Sequence, residues 1–181
     1  MEGKLLLAMP GMGDPRFERS VVYMCSHSKD TAMGLVINQP VTKLIFSELL
    51  DQLDISIDGE VTDTPIHAGG PVETGRGFIL HSADFAQDST LIVSETIALT
   101  ATVDILKAIA NGEGPKNYLL ALGYVGWNGK QLEQEIQTNA WLTAPADNEV
   151  VFYTELDNKW PRAMAMLGVD VSKLSSDAGH A

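Results

Sequence analysis

The side chains with reactive chemistry fall into three short stretches. In "VVYMCSH" (residues 21–27), Cys25 and His27 stand two apart on an apolar run that reads as a strand. Residues two apart on a strand share a face, with Cα atoms roughly 6.6 Å apart. A thiolate beside an imidazole is the beginning of a nucleophile pair. The same stretch also suits a buried cysteine acting as a small hydrophobe. No nucleophile elbow or orienting partner is visible, so the structural role of Cys25 is the expectation and catalysis the alternative.

The second stretch is "HAGGPVETGRGFILH" (67–81), where Gly69, Gly70, Gly75 and Gly77 surround Arg76, between His67 and His81. An anion cradle wants successive free N–H groups that open a helix. Pro71 removes one N–H, and "GFILH" is β-like, so neither a P-loop nor a dinucleotide fingerprint fits. The glycines read better as a corner or bulge of the backbone. Arg76 keeps an anion clamp open, since a guanidinium holds a carboxylate or phosphate through two parallel bonds. The third stretch, "PGMGDPRFERS" (10–20), carries Asp14, Arg16, Glu18 and Arg19 on a glycine-rich connection. A salt-bridged loop is expected there, with a substrate-facing loop as the alternative.

Metal chemistry has little support. The histidines are His27, His67, His81 and His180, none spaced at i, i+3 or i+4, and Cys25 is the single cysteine. No metal and no cofactor is expected.

These residues need elements to position them. Strands are expected at residues 4–9, 21–27 and 33–38, the last two as a hairpin across "SKDTA". Helical spacing runs over 43–53 through Ile45, Leu49, Leu50 and Leu53, with Thr42 as its cap. Short strands follow at 77–81 and 90–94. A helix over 100–111 is expected, capped by Thr100 and stopped by Gly112. Residues 117–127 read as a buried strand. Asn128 with Gln131 resembles a capping box for a third helix. Residues 149–154, "EVVFYT", read as a strand, and Asp157 as the cap of a last helix that tolerates Pro161 only near its first turn. Strands in a hairpin followed by an irregular mixture argue α+β: one compact domain over 1–168, a mixed bulged β-sheet with helices packed against it, and a small polar tail over 169–181.

The totals narrow the function classes. A chain of 181 residues buries about 70% of its unfolded surface, enough for a real core. Its net charge is −12, and no two of its 12 basic residues are adjacent. Duplex DNA binding draws on clustered Lys and Arg, so direct DNA binding is disfavoured. No apolar run approaches a membrane span, and "KLLLAM" is too short for a signal-peptide core. One cysteine suits a reducing cytoplasm.

The chain also resembles the bacterial YqgE/AlgH family. "MPGMGDPRFERSVVYMCSH", "AMGLVINQP", "GGPVETGRGFILH", "LGYVGWNGKQLEQEI" with "NAWL", and the terminal "GHA" carry the resemblance over nearly the whole chain. It implies a compact α/β-mixed cytosolic protein with a bulged sheet. It also implies a motif set of Asp14, Arg19, Cys25, His27, Asn38, Arg76 and His81, with His67 outside it. Members carry the label of transcriptional regulator, and the resemblance supplies no reaction and no DNA-binding element. Together these readings lead to a non-enzymatic cytosolic regulatory protein that binds a small anionic ligand or a protein partner. The alternative is an enzyme using Cys25, His27, His81 or Arg76.

Overall fold

The computed structural model describes residues 1–61 and 63–174. In chain order the strands are β1 (Lys4–Ala8), β2 (Val21–His27), β3 (Thr31–Val36), β4 (Pro40–Ile45), β5 (Pro65–Ala68), β6 (Val72–Ser82), β7 (Leu91–Ile92), β8 (Ile97–Thr100), β9 (Tyr118–Asn128) and β10 (Trp141–Pro145). The helices are α1 (Phe46–Gln52), α2 (Val103–Ala110), α3 (Gln131–Gln137) and α4 (Leu156–Met166). Contacts group the chain into two compact units, Met1–Asn38 with Val125–Ala181, and Gln39–Tyr124. The class is α+β, as the pattern of apolar runs predicts.

In the first unit the strands run β10-β1-β2-β3-β9, all antiparallel. Leu5, Leu6 and Leu7 are fully buried, as a continuous apolar run demands when both strand faces are covered. One side of the core holds Leu6, Val22, Met24, Val36, Trp127 and Trp141. Trp127 and Trp141 meet edge to face at 6.0 Å. A buried indole needs an acceptor for its N–H. Here one carboxylate oxygen, Glu135 Oε2 on α3, accepts from Trp127 at 2.9 Å and from Trp141 at 2.8 Å.

In the second unit the order is β4-β5-β9-β6-β8-β7. Strand β5 runs parallel to β9 and the other pairs are antiparallel, so the sheet is mixed. Phe46 and Leu50 of α1 and Ile105, Leu106 and Ile109 of α2 pack with Ile66, Ile79 and Leu120. Two bulges interrupt the strand registers, one in β2 between Met24 and Ser26 and one in β6 between Val72 and Gly77.

Several boundaries depart from the sequence expectations. Residues 149–154 are not a strand. Glu149–Tyr153 form a π-helical turn, because polar side chains satisfy its backbone locally. Asp147 Oδ1 accepts the Val150 N–H at 2.7 Å. Lys159 Nζ, on the 2%-exposed Lys159, donates to the carbonyl of Val150 at 2.7 Å and to that of Val151. The helix expected from residue 43 begins at Phe46, because Pro40–Ile45 pair with β5. Thr42 therefore lies within β4, the N-cap position of α1 is Ile45, and Glu48 Oε2 accepts the Ile45 N–H at 3.2 Å. Thr100 likewise belongs to β8, paired with Ile79, and α2 starts at Val103. The 90–94 strand shrinks to two residues, and β5, β8 and β10 were not foreseen. Helix α3 starts at Gln131; only the returning half of the capping box forms, Asn128 N–H to Gln131 Oε1 at 3.4 Å. Pro161 lies past the first turn of α4, whose N-cap position is Glu155 and not Asp157. Of the tail, Val171–Lys173 make a short 3-10 turn capped by Asp170; the "GHA" motif and His180 lie outside the described residues.

Candidate functional site

The glycine-rich connection after β1 forms the wall of a cavity of about 470 Å³. Met9 to Pro15, Glu18 and Arg19 line it together with Trp160 of α4 and Val171 and Leu174. Arg19 sits at φ 52°, in the left-handed region that a side-chain-bearing residue rarely adopts. Asn38 holds it there: its Nδ2 donates to the Arg19 carbonyl at 2.9 Å, while its Oδ1 accepts the Val21 N–H at 2.8 Å. The Arg19 guanidinium lies 5.5 Å from the centroid of the Trp160 ring. That ring is fixed in turn, its N–H donating to the Ala8 carbonyl at 2.9 Å. Asp14 is occupied differently. The Arg16 side chain grips its carboxylate at 2.7 Å, which holds the carboxyl below its ordinary range. The expected salt bridge in this loop therefore exists, and Arg19 stands outside it.

Cys25 and His27 do not form a pair. The bulge at Met24/Ser26 interrupts the alternation on which a shared face depends. Cys25 is 1% exposed and its S–H donates to the Tyr23 carbonyl at 3.7 Å. Burial pushes its thiol up to about 12, the opposite of what a nucleophile requires. His27 Nε2 instead meets Glu133 Oε1 of α3 at 2.8 Å. The backbone N–H of Glu133, then His27, keeps that carboxyl below its ordinary range.

The four glycines of 67–81 divide. Gly69 donates its N–H to the Leu122 carbonyl at 2.8 Å, and a Cβ on it would stand 2.4 Å from the Gly123 oxygen. Gly123 faces back at φ 74°, and a Cβ there would stand 2.4 Å from the Gly70 oxygen. Gly69, Gly70 and Gly123 thus make a corner of close backbone approach. Gly75 and Gly77 have neither reason: neither has a positive φ. A Cβ on Gly75 would meet nothing within 4 Å, and one on Gly77 would meet only Leu120 Cδ1 at 3.6 Å. Arg76 lies over Phe78 at 5.1 Å and reaches Glu73 at 3.4 Å.

A family model described as AlgH-like matches residues 5–172. The chain belongs to the AlgH-like family. A UPF0301 protein from Methylocella silvestris is 52% identical over 100% of this chain and 92% of its own length. One from Rhodospirillum rubrum is 49% identical over 100% and 94%. The solution structure of the AlgH protein from Pseudomonas aeruginosa superposes with a TM-score of 0.78 at 43% identity, over 99% of this chain and 95% of that one. A crystal structure from Corynebacterium diphtheriae shares the fold, with a TM-score of 0.73 at 20% identity over 90% and 85%.

In this AlgH-like chain His81 is fully buried and committed to a directed chain of hydrogen bonds. The Ser82 carbonyl can only accept, so Nδ1 carries the hydrogen at 2.9 Å. Nε2 then accepts from the Thr100 hydroxyl at 2.8 Å, which accepts from Thr90 at 2.8 Å, which accepts the Gln87 N–H at 2.9 Å. Burial keeps the imidazole below its ordinary range. No ring lone pair remains for a substrate. His67, also buried, hydrogen-bonds through Nδ1 to the Leu120 carbonyl at 3.1 Å.

Of the sequence candidates, Asp14, Arg19 and Asn38 gather at the loop cavity. Cys25 and His27 lie elsewhere in the same unit, and Gly69, Gly70, Arg76 and His81 belong to the other unit. Sequence reasoning missed Trp160, whose helical spacing marks only a core position, and Glu133, which looks like any exposed helix acid. Among the described residues no group of three or more His, Cys, Asp or Glu comes together in a way that could hold a metal ion. No helix there is long and apolar enough to cross a membrane.

Proposed function

We propose that this protein is a non-enzymatic regulatory protein of the bacterial cytoplasm that binds a small acidic ligand in the loop cavity. The observation that carries the reading is Arg19: a guanidinium at the wall of a cavity of about 470 Å³, stacked on Trp160, with no ion pair recorded for it among the described residues. A cavity of this volume falls in the range that takes small molecules. Asn38 fixes the strained backbone that presents the charge, and such strain concentrates at ligand clamps. Glu18 shares the wall, so a ligand with one acidic group and a hydrogen-bond donor suits the site better than a polyanion.

The enzyme alternative loses support from its own residues. Cys25 is buried with a raised pKa, His81 has both ring nitrogens occupied, and His27 is held by Glu133. A net charge of −12 argues that any effect on gene expression runs through a ligand or a protein rather than through DNA contacts. Calorimetry with small carboxylates and with inorganic phosphate tests the site. One of these probes should bind the wild type and stabilise it by about 2.7 kcal/mol at a hundred times its Kd. Arg19→Ala should abolish that gain. Indifference of the wild type to every probe, or a gain unchanged in Arg19→Ala, would remove the reading.

A further inference from the structure

The charged residues that line the loop cavity are Asp14, Glu18 and Arg19. The Arg16 guanidinium neutralises Asp14 at 2.7 Å. Glu18 is exposed, and no ion pair is recorded for it among the described residues. One free cation therefore shares the wall with one free anion. A ligand carrying a single negative charge balances Arg19. A second negative charge on the same small ligand would have only Glu18 left to face, and like charges repel. Neutral donors stand at the same wall. Met12 gives its N–H to the Met9 carbonyl at 3.1 Å. The N–H groups of Gly11 and Gly13, at φ 82° and 91°, have no recorded acceptor among the described residues. A carboxylate accepts from several donors at once, so it can take these N–H groups together with the guanidinium.

The rest of the wall is apolar. Met9, Met12, Val171 and Leu174 line it, and each is only partly buried. Trp160 closes it from α4 and is fixed on the Ala8 carbonyl. Apolar surface facing an open cavity gains free energy when a ligand removes it from water. Methionine thioethers are flexible and polarizable, so they fit hydrocarbon bodies of different shapes. At about 470 Å³ the cavity has room for much more than a carboxyl group. Acetate or phosphate would satisfy Arg19 and leave the methionines and Leu174 wet. An acid with one charge and an apolar body serves both parts of the wall.

Resting on the reading of this cavity as an acid-binding site, we propose that its ligand is an apolar monocarboxylate, with the carboxylate on Arg19 and the hydrocarbon body against Met9, Met12 and Leu174. Calorimetry on the full chain compares acetate, hexanoate, phenylacetate, adipate, hexan-1-ol and inorganic phosphate. Hexanoate or phenylacetate should bind about tenfold or more tighter than acetate, because the added carbons leave water. The tighter of the two tells whether the body is a chain or a ring. Adipate has the carbon chain of hexanoate and a second carboxylate, and should bind about tenfold more weakly. Arg19→Ala should bring hexanoate down to the level of hexan-1-ol. Leu174→Ala should weaken hexanoate several-fold and leave acetate unchanged, a readout independent of Arg19. If acetate or phosphate binds through Arg19 and neither hexanoate nor phenylacetate binds tighter, the ligand class is overturned and the acid-binding reading stands. Equal affinity of adipate and hexanoate, or unchanged hexanoate affinity in folded Leu174→Ala, overturns the class in the same way. Indifference of the wild type to every probe overturns both.

Discussion

The two ends of the 67–81 stretch are alike in composition and opposite in physics. At Gly69 the backbone of Gly123 is so close that a methyl group has nowhere to go. At Gly75 the same methyl group would meet nothing within 4 Å. One glycine is required by its neighbours and the other by the lack of them. Composition alone cannot separate these reasons, because both are properties of what lies across the sheet. Fold stability depends on the first kind of position and is indifferent to the second.

Substitution should divide the glycines accordingly, and the largest effect belongs to the corner. Gly69→Ala should cost about 3 kcal/mol or more in chemical denaturation, since the opposing atom is a backbone oxygen that cannot swing aside. A cost below ~1 kcal/mol would erase the distinction between the two ends.

Next comes another interior demand, the Lys159 cap on the π-helical turn. Lys159→Met strands two carbonyls, those of Val150 and Val151, at roughly 1–3 kcal/mol. Burial lowers the Lys159 ammonium from 10.5 to about 8. Between those values the unfolded chain binds more protons than the folded one, so this group makes stability rise with pH there. Below about pH 8 both states are protonated and the dependence fades. The stability of the wild type relative to Lys159→Met should therefore grow from pH 8 to pH 10, and denaturation at several pH values checks it. A flat difference would place the amine in a better-solvated setting than its 2% exposure implies.

Cys25 offers an intermediate test. Native protein should react with a thiol reagent orders of magnitude more slowly than denatured protein, because the thiolate is scarce and enclosed. Fast native labelling would return the nucleophile. The smallest effect should be Gly75→Ala, within about 0.5 kcal/mol of wild type and on the stabilising side if anything, since alanine restricts the unfolded chain. A large loss there would show the open end to be a second corner.

How much of this was legible in the residues depends on range. Strand β2 was readable to the residue, and so was the class, because apolar alternation and turn residues act locally. The turn at Glu149–Tyr153 was not: "EVVFYT" has the β-branched and aromatic content of a strand, and what overrides it is the Lys159 amine arriving from α4. The same holds at 40–45, where helical spacing lost to pairing with β5, and at Thr100, whose hydroxyl serves His81 instead of a helix N-terminus. At the loop cavity, Asp14, Arg19 and Asn38 could be picked out as polar residues among apolar ones. Their division of labour could not, because it turns on Trp160, far along the chain. The pairing of Cys25 with His27 failed through one inserted residue in a strand, which no spacing rule anticipates.

The sharing of Glu135 by two indoles has a spectroscopic consequence. Trp127, Trp141 and Trp160 are all the tryptophans in the chain, and all belong to the unit that includes Val125–Ala181. Tryptophan emission therefore watches that unit alone, and Gln39–Tyr124 is dark to it. Two of the emitters sit edge to face at 6.0 Å on a common carboxylate, and the third forms part of the Arg19 cavity. A ligand filling that cavity would change the light from Trp160, while melting of the dark unit would be seen by circular dichroism and missed by fluorescence. Two melting curves recorded on one sample would thus tell whether the units unfold together or in turn.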